Sequence, residues 1–166
     1  MNIVLIGYRG TGKSTVGRIV AARLGRSVVS TDEEIVRIAG QRIPEIVAQH
    51  GWEYFRELES QVCRKLADRD GLVIDTGGGA ILRSHNVEVL KKTGILFWLT
   101  ASVDLIVKRI GRDTQRPSLT GTQSFVEEVE EVLRERTPKY QAAADHIIVT
   151  DGRSIVQVAD EILARL

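Results

Sequence analysis

The chain has only one cysteine, Cys63, and so cannot close a disulfide within itself. This excludes a small disulfide-stapled fold and suits a reducing compartment. An excess of either charge is missing too: 23 Lys and Arg stand against 22 Asp and Glu, for a net charge of +1. That balance offers no electrostatic reason to expect nucleic acid or an anionic membrane as partner. No apolar run approaches the length of a membrane span, and Met1 leads into a short strand without the basic segment of a secretory signal. Repeats, low-complexity tracts and linkers are absent, so one cytoplasmic domain over residues 1–166, working as a monomer, is expected. With 43% apolar and 27% charged residues, the composition is that of an ordinary globular chain with a real core.

What the sequence does contain, near its start, is Gly7-Tyr8-Arg9-Gly10-Thr11-Gly12-Lys13-Ser14, a complete G-x-x-x-x-G-K-S loop. The strand-like run Asn2-Ile3-Val4-Leu5-Ile6 precedes it, and a helical stripe of Val16, Ile19, Val20 and Leu24 follows. Glycines in this context let successive N–H groups converge on a phosphate at a helix N-terminus. Gly10, Thr11, Gly12, Lys13, Ser14 and Thr15 are therefore the expected nucleotide-binding residues. Lys13 supplies a point charge for the β- and γ-phosphates, and the Ser14 hydroxyl is a direct ligand for the Mg²⁺ expected to accompany ATP.

Apolar periodicity predicts strands over 3–6, 27–29, 72–74, 95–99 and 146–149. Helices are predicted over 13–24, 32–39, 44–50, 52–67, 84–92, 103–110, 125–136 and 155–166. Strands mostly separated by helices imply an α/β fold, a five-stranded parallel sheet flanked by helices, with ligands at the carboxyl ends of the strands. Residues 111–124 are polar, contain Gly111, Pro117 and Gly121 and show no period, which reads as a lid. Cys63 falls on the helix of Phe55, Leu58, Val62 and Leu66, so it reads as an inert packing thiol. Thr31-x-x-Glu34 reads as a capping box.

Two classes of nucleotide protein fit these features. Leu72-Val73-Ile74-Asp75 ends in an acid as a Walker B strand does, and Asp75-Thr76-Gly77-Gly78 matches the D-x-x-G of nucleotide switches. No N-K-x-D or T-K-x-D guanine reader follows, which favours a small-molecule kinase over a switch. Further residues carry a closer likeness. Thr31-Asp32-Glu33-Glu34-Ile35, Tyr54-Phe55-Arg56-Glu57-Leu58-Glu59, Thr76-Gly77-Gly78-Gly79, Arg116-Pro117-Ser118-Leu119 and Arg134-Glu135-Arg136-Thr137-Pro138-Lys139-Tyr140 stand in an order and spacing that resemble the shikimate kinases. These belong to the nucleoside-monophosphate-kinase-like P-loop enzymes, and the likeness covers essentially the whole chain.

The resemblance implies a three-layer P-loop kinase fold and transfer of the ATP γ-phosphate to the 3-hydroxyl of shikimate, a step toward chorismate and the aromatic amino acids. It implies a substrate-binding helical segment over about 32–60, with Arg56 and Arg136 gripping the shikimate carboxylate. Asp32 orients the reacting hydroxyl, and Gly77, Gly78 and Gly79 offer bare N–H groups. Lys13, Asp32 and Arg116 are the implied catalytic residues, Arg116 arriving with the lid, and Arg109 stacks on adenine. Each has an ordinary alternative. Arg56 has Glu53 and Glu59 three residues away, Arg136 precedes Pro138 near a predicted helix end, and Arg109 reads equally as a solvated cation. Related chemistry on another hydroxylated acid such as gluconate is the nearest alternative activity.

The chain departs from the family pattern in two places. D-x-D is usual after the second strand, but Ser30-Thr31-Asp32 lacks the first acid, which in relatives helps hold a metal-bound water. Asp75 stands where relatives have a small residue, so Asp75 and Ser30 are read as having exchanged roles around a water of the Mg²⁺ shell. Trp52 replaces the usual glutamate and is expected only to add apolar contact.

Overall fold

The computed structural model describes residues 1–111 and 124–166. Its strands are β1 (Asn2–Ile6), β2 (Ser27–Ser30), β3 (Leu72–Asp75), β4 (Gly94–Thr100) and β5 (His146–Val149). The helices are α1 (Lys13–Leu24), α2 (Thr31–Ala39), α3 (Ile43–Ala67), α4 (Ser84–Thr93), α5 (Val103–Ile110), α6 (Phe125–Ala143) and α7 (Ile155–Ala164). All strand pairs are parallel, in the order β2-β3-β1-β4-β5. The oldest strand in chain order thus lies at the centre, and both faces of the sheet are covered, as a parallel sheet requires.

Alternation along β1 divides the core. Ile3 and Leu5 join Val16 and Val20 of α1 and Val158 and Ile162 of α7 on one face. Val4 and Ile6 join Ile35 of α2, Phe55 and Val62 of α3, Leu90 of α4 and Tyr140 of α6 on the other. Cys63 is buried in that second layer, and desolvation pushes its thiol up to about 12, so it is an inert packing group as expected.

Most boundaries shift by only a residue or two from the sequence reading, but α6 and α3 differ in kind. The helix predicted over 125–136 runs on to Ala143 through Pro138, so Arg136 is not near a helix end. Burial of Tyr140 and Ala143 holds the extra turns against the proline's missing N–H. The helices predicted over 44–50 and 52–67 join end to end in α3, broken only at Gly51, where φ 84° and ψ 171° leave helical space.

The capping box at Thr31 is also corrected. Ser30 is the N-cap of α2, its hydroxyl accepting from the Glu33 N–H at 3.3 Å. Thr31 is fully buried, and its Oγ1 accepts the Gly77 N–H at 2.9 Å. A short 3-10 turn at Ala80–Leu82, which no periodicity announced, carries the chain from the glycine run into α4.

Candidate active site

The phosphate loop leaves β1 and enters α1 at the carboxyl edge of the central strand, the place the topology reserves for ligands. A side chain at Gly7 would put a Cβ 2.6 Å from the Leu99 carbonyl, and Gly10 and Gly12 hold φ of 83° and 93°. Glycine is what these positions demand. Lys13 is buried, and its Nζ donates to the carbonyls of Gly7 (2.7 Å) and Tyr8 (3.0 Å), folding the side chain back along the loop. Ser14 Oγ donates to Asp75 Oδ2 at 2.6 Å.

That last bond depends on strand register. β3 lies beside β1, so its terminal Asp75 sits against the phosphate loop, and in the neighbouring pair Ser30 of β2 stands opposite Asp75. Desolvation raises the Asp75 pKa, while the Lys13 charge and the Ser14 hydrogen bond oppose the rise. Ser30, expected to complete the metal's surroundings, uses its hydroxyl as the α2 cap. A cleft of about 310 Å³ opens here, lined by Lys13, Ser14, Ser30, Asp32, Asp75 and Gly78 among others. The buried carboxylate and the hydroxyl that meets it are hard oxygen donors, and they suit Mg²⁺. Among the described residues no group of three His, Cys, Asp or Glu forms a cage, so such a cation would need phosphate or water oxygens beside these two groups.

The glycine turn after Asp75 brings the two expected carboxylate-binding arginines to the same edge. A Cβ on Gly79 would fall 2.4 Å from the Arg56 guanidinium, and one on Gly78 would lie 3.5 Å from Arg136 Nη1. Their lack of side chains is thus what admits the cations. Arg56 pairs with Glu59 at 2.9 Å in a nearly dry setting, with side-chain exposures of 11% and 0%. The ordinary i,i+3 pair is therefore present, but it is buried and aimed at the turn rather than solvated. Trp52 does more than add apolar contact: the Arg56 guanidinium carbon lies 5.3 Å from its ring centre and 5.2 Å from that of Phe55.

Of the three glycines, Gly77 has its N–H taken by Thr31, while Gly78 and Gly79 have N–H groups with no acceptor among the described residues. Arg109 does not line the cleft. It reaches the loop instead, donating to the Gly10 carbonyl at 3.0 Å. Arg116 and all but the ends of the predicted lid lie outside the described residues, and Ser124 caps α6 by accepting from Glu127 N–H. Sequence reasoning overlooked Thr31 and Tyr140, whose hydroxyl donates to the Gly78 carbonyl. Tyr140 closes the R-T-P-K-Y string and carried a signal that went unused, whereas nothing in the local sequence marks Thr31 as the glycine run's partner.

A phosphate loop at the centre of a parallel sheet, an acid on the adjacent strand and a cation-lined turn define a P-loop phosphotransferase. The family model for shikimate kinase matches residues 9–166, and the chain belongs to the shikimate kinase family. It is 41% identical to a shikimate kinase of Nitratidesulfovibrio vulgaris, covering 99% of this chain and 94% of that protein. Against a shikimate kinase of Syntrophus aciditrophicus the identity is 43%, with 99% and 90% covered. The fold superposes with a TM-score of 0.93 and 38% identity on a shikimate kinase from Acinetobacter baumannii in complex with shikimate, over 99% of this chain and 91% of that one.

Proposed function

We propose that this chain transfers the γ-phosphoryl group of ATP to the 3-hydroxyl of shikimate. The observation that carries the reading is the meeting at one sheet edge of the phosphate loop with two cations, Arg56 at Gly79 and Arg136 at Gly78. A carboxylate fits between such guanidinium groups, and the N–H groups of Gly78 and Gly79, which have no acceptor among the described residues, suit the ring hydroxyls of the same acceptor. Asp32, in the cleft wall, accepts the hydrogen of the reacting hydroxyl and orients it toward the phosphate loop. Lys13 swings from its carbonyl partners to the β- and γ-phosphates when nucleotide enters. Arg109 is assigned to stack on the base, a reading supported by its hydrogen bond to the Gly10 carbonyl of the phosphate loop.

Ser14 would ligate the magnesium of the nucleotide directly and Asp75 would hold one of its waters, with Ser30 opposite Asp75 in the strand register. When bound, that ion neutralises charge on the phosphates during transfer. In this reading the acid has changed strand, from the β2 end usual in relatives to the β3 end. Asp75→Ala then raises the magnesium needed for half-maximal nucleotide binding, measured by calorimetry at several magnesium concentrations. Ser30→Asp with Asp75→Ser recovers much of the loss. Normal magnesium dependence in Asp75→Ala removes Asp75 from the shell.

An ADP-release assay over shikimate, quinate and gluconate tests the activity itself. ADP forms in step with shikimate under this proposal. Turnover on gluconate alone assigns another acceptor, and hydrolysis of GTP without any acceptor assigns a switch. Arg56→Ala and Arg136→Ala each lose about 2 kcal/mol or more of shikimate affinity with ATP affinity nearly intact. Unchanged shikimate binding in both variants rules out their role. We further infer that the protein is cytoplasmic and monomeric, in keeping with its single buried thiol. Among the described residues no helix is long and apolar enough to cross a membrane.

A further inference from the structure

Tyr140 lies about four turns into α6 and takes no part in the chemistry above, yet it is buried beside the glycine turn. It is 1% exposed, its ring stacks on Trp98 with centroids 5.7 Å apart, and its hydroxyl donates to the Gly78 carbonyl. Arg136, one turn earlier on the same helix, faces that hydroxyl and stabilises its ionised form, although burial dominates and keeps the phenol protonated, its pKa pushed up to about 12. The hydroxyl is therefore a donor at every working pH.

The peptide that joins Gly78 to Gly79 is trans, as are all described peptide bonds. In a trans peptide the carbonyl and the following N–H point in opposite directions across one rigid plane. Fixing the Gly78 carbonyl toward Tyr140 therefore fixes the Gly79 N–H on the side away from Tyr140, where it has no acceptor among the described residues. Among the described residues the turn has one other side-chain hydrogen bond, Thr31 Oγ1 accepting from the Gly77 N–H. Backbone bonds from the Ala80 and Leu82 N–H groups hold the Gly77 and Gly79 carbonyls, and the Tyr140 hydroxyl is what holds the Gly78 carbonyl between them.

We propose that Tyr140 is a positioning residue for the acceptor: its hydroxyl locks the Gly78–Gly79 peptide and, through α6, holds Arg136 in register with it. One element thus presents a cation and aims a backbone donor. This rests on the acceptor reading above, and it predicts a loss confined to the acceptor.

Tyr140→Phe keeps the ring on Trp98 and removes only the hydroxyl. Calorimetry on the variant is expected to show shikimate binding weakened about tenfold, the worth of one buried hydrogen bond, with ATP binding unchanged. The KM for shikimate rises by a similar factor while kcat changes less. In the ¹⁵N spectrum of the unaltered protein, added shikimate is expected to shift the Gly79 amide more than the Gly77 amide, which Thr31 already holds. That second measurement stands even where the variant folds poorly. Wild-type shikimate affinity in Tyr140→Phe, equal losses for shikimate and ATP, or a Gly79 amide that ignores shikimate overturns the proposal. Failure of the acceptor reading is separate, because then the unaltered protein itself does not bind shikimate.

Discussion

Asp75 is a carboxylate at 7% exposure, and its burial conflicts with its charge. Desolvation raises its pKa above the usual 3.8, with Lys13 and Ser14 only opposing the shift. The unfolded chain therefore releases this proton first as pH rises. The stability contributed by protonated Asp75 is complete below 3.8 and is lost as pH climbs through the raised folded value. Asp75→Asn, which keeps a carbonyl for Ser14, removes that loss. Its melting temperature without nucleotide should exceed the unaltered protein's by more at pH 7 than at pH 4, as read by scanning calorimetry. An equal difference at both pH values contradicts the assignment. Cys63, with its thiol pushed up to about 12, should resist a disulfide reagent in the native protein and react readily in urea.

At the scale of elements, α3 and α6 each bring a cation to the glycine turn, and each contains a residue that a regular helix avoids. Gly51 breaks α3 at φ 84° and ψ 171°, a conformation open almost only to glycine, and an added Cβ there meets nothing within 4 Å. The cost of Gly51→Ala is thus backbone strain alone, about 1–3 kcal/mol in urea unfolding. Because the break sets the direction of the segment carrying Trp52, Arg56 and Glu59, the KM for shikimate should rise with it. A change within about 0.5 kcal/mol means α3 straightens freely and the break has no role. Pro138 in α6 was legible only as a stop signal. Burial of Tyr140 beyond it overrides local preference, which is why Arg136 was misplaced on a helix end.

For the whole molecule, the proposed function has both substrates binding only the folded chain at one sheet edge, so each would add to its stability. A ligand at 100 times its Kd contributes about 2.7 kcal/mol. Thermal unfolding with ATP and magnesium, with shikimate, and with both should show two separate increments, and Arg136→Ala should lose the shikimate increment alone. Loss of the nucleotide increment as well would mean that Arg136 supports the whole edge rather than one ligand.

Local chemistry in the sequence determined a good part of this. The phosphate loop, the alternation of strands and helices, the parallel sheet and the Arg56–Glu59 spacing all follow from residues close together in the chain, where period and turn chemistry act. The tertiary structure decided what depends on residues far apart. Ser14 meets Asp75 across 61 positions, and Tyr140 meets Gly78 across 62. Strand register alone put Ser30 opposite Asp75, and once β2 ended there, Ser30 rather than Thr31 became the cap and Thr31 turned inward to Gly77. A one-residue shift in helix start exchanges the roles of two adjacent hydroxyls, and local sequence scarcely distinguishes Ser from Thr as a cap. The packing of β2 against β3 settles which hydroxyl is buried.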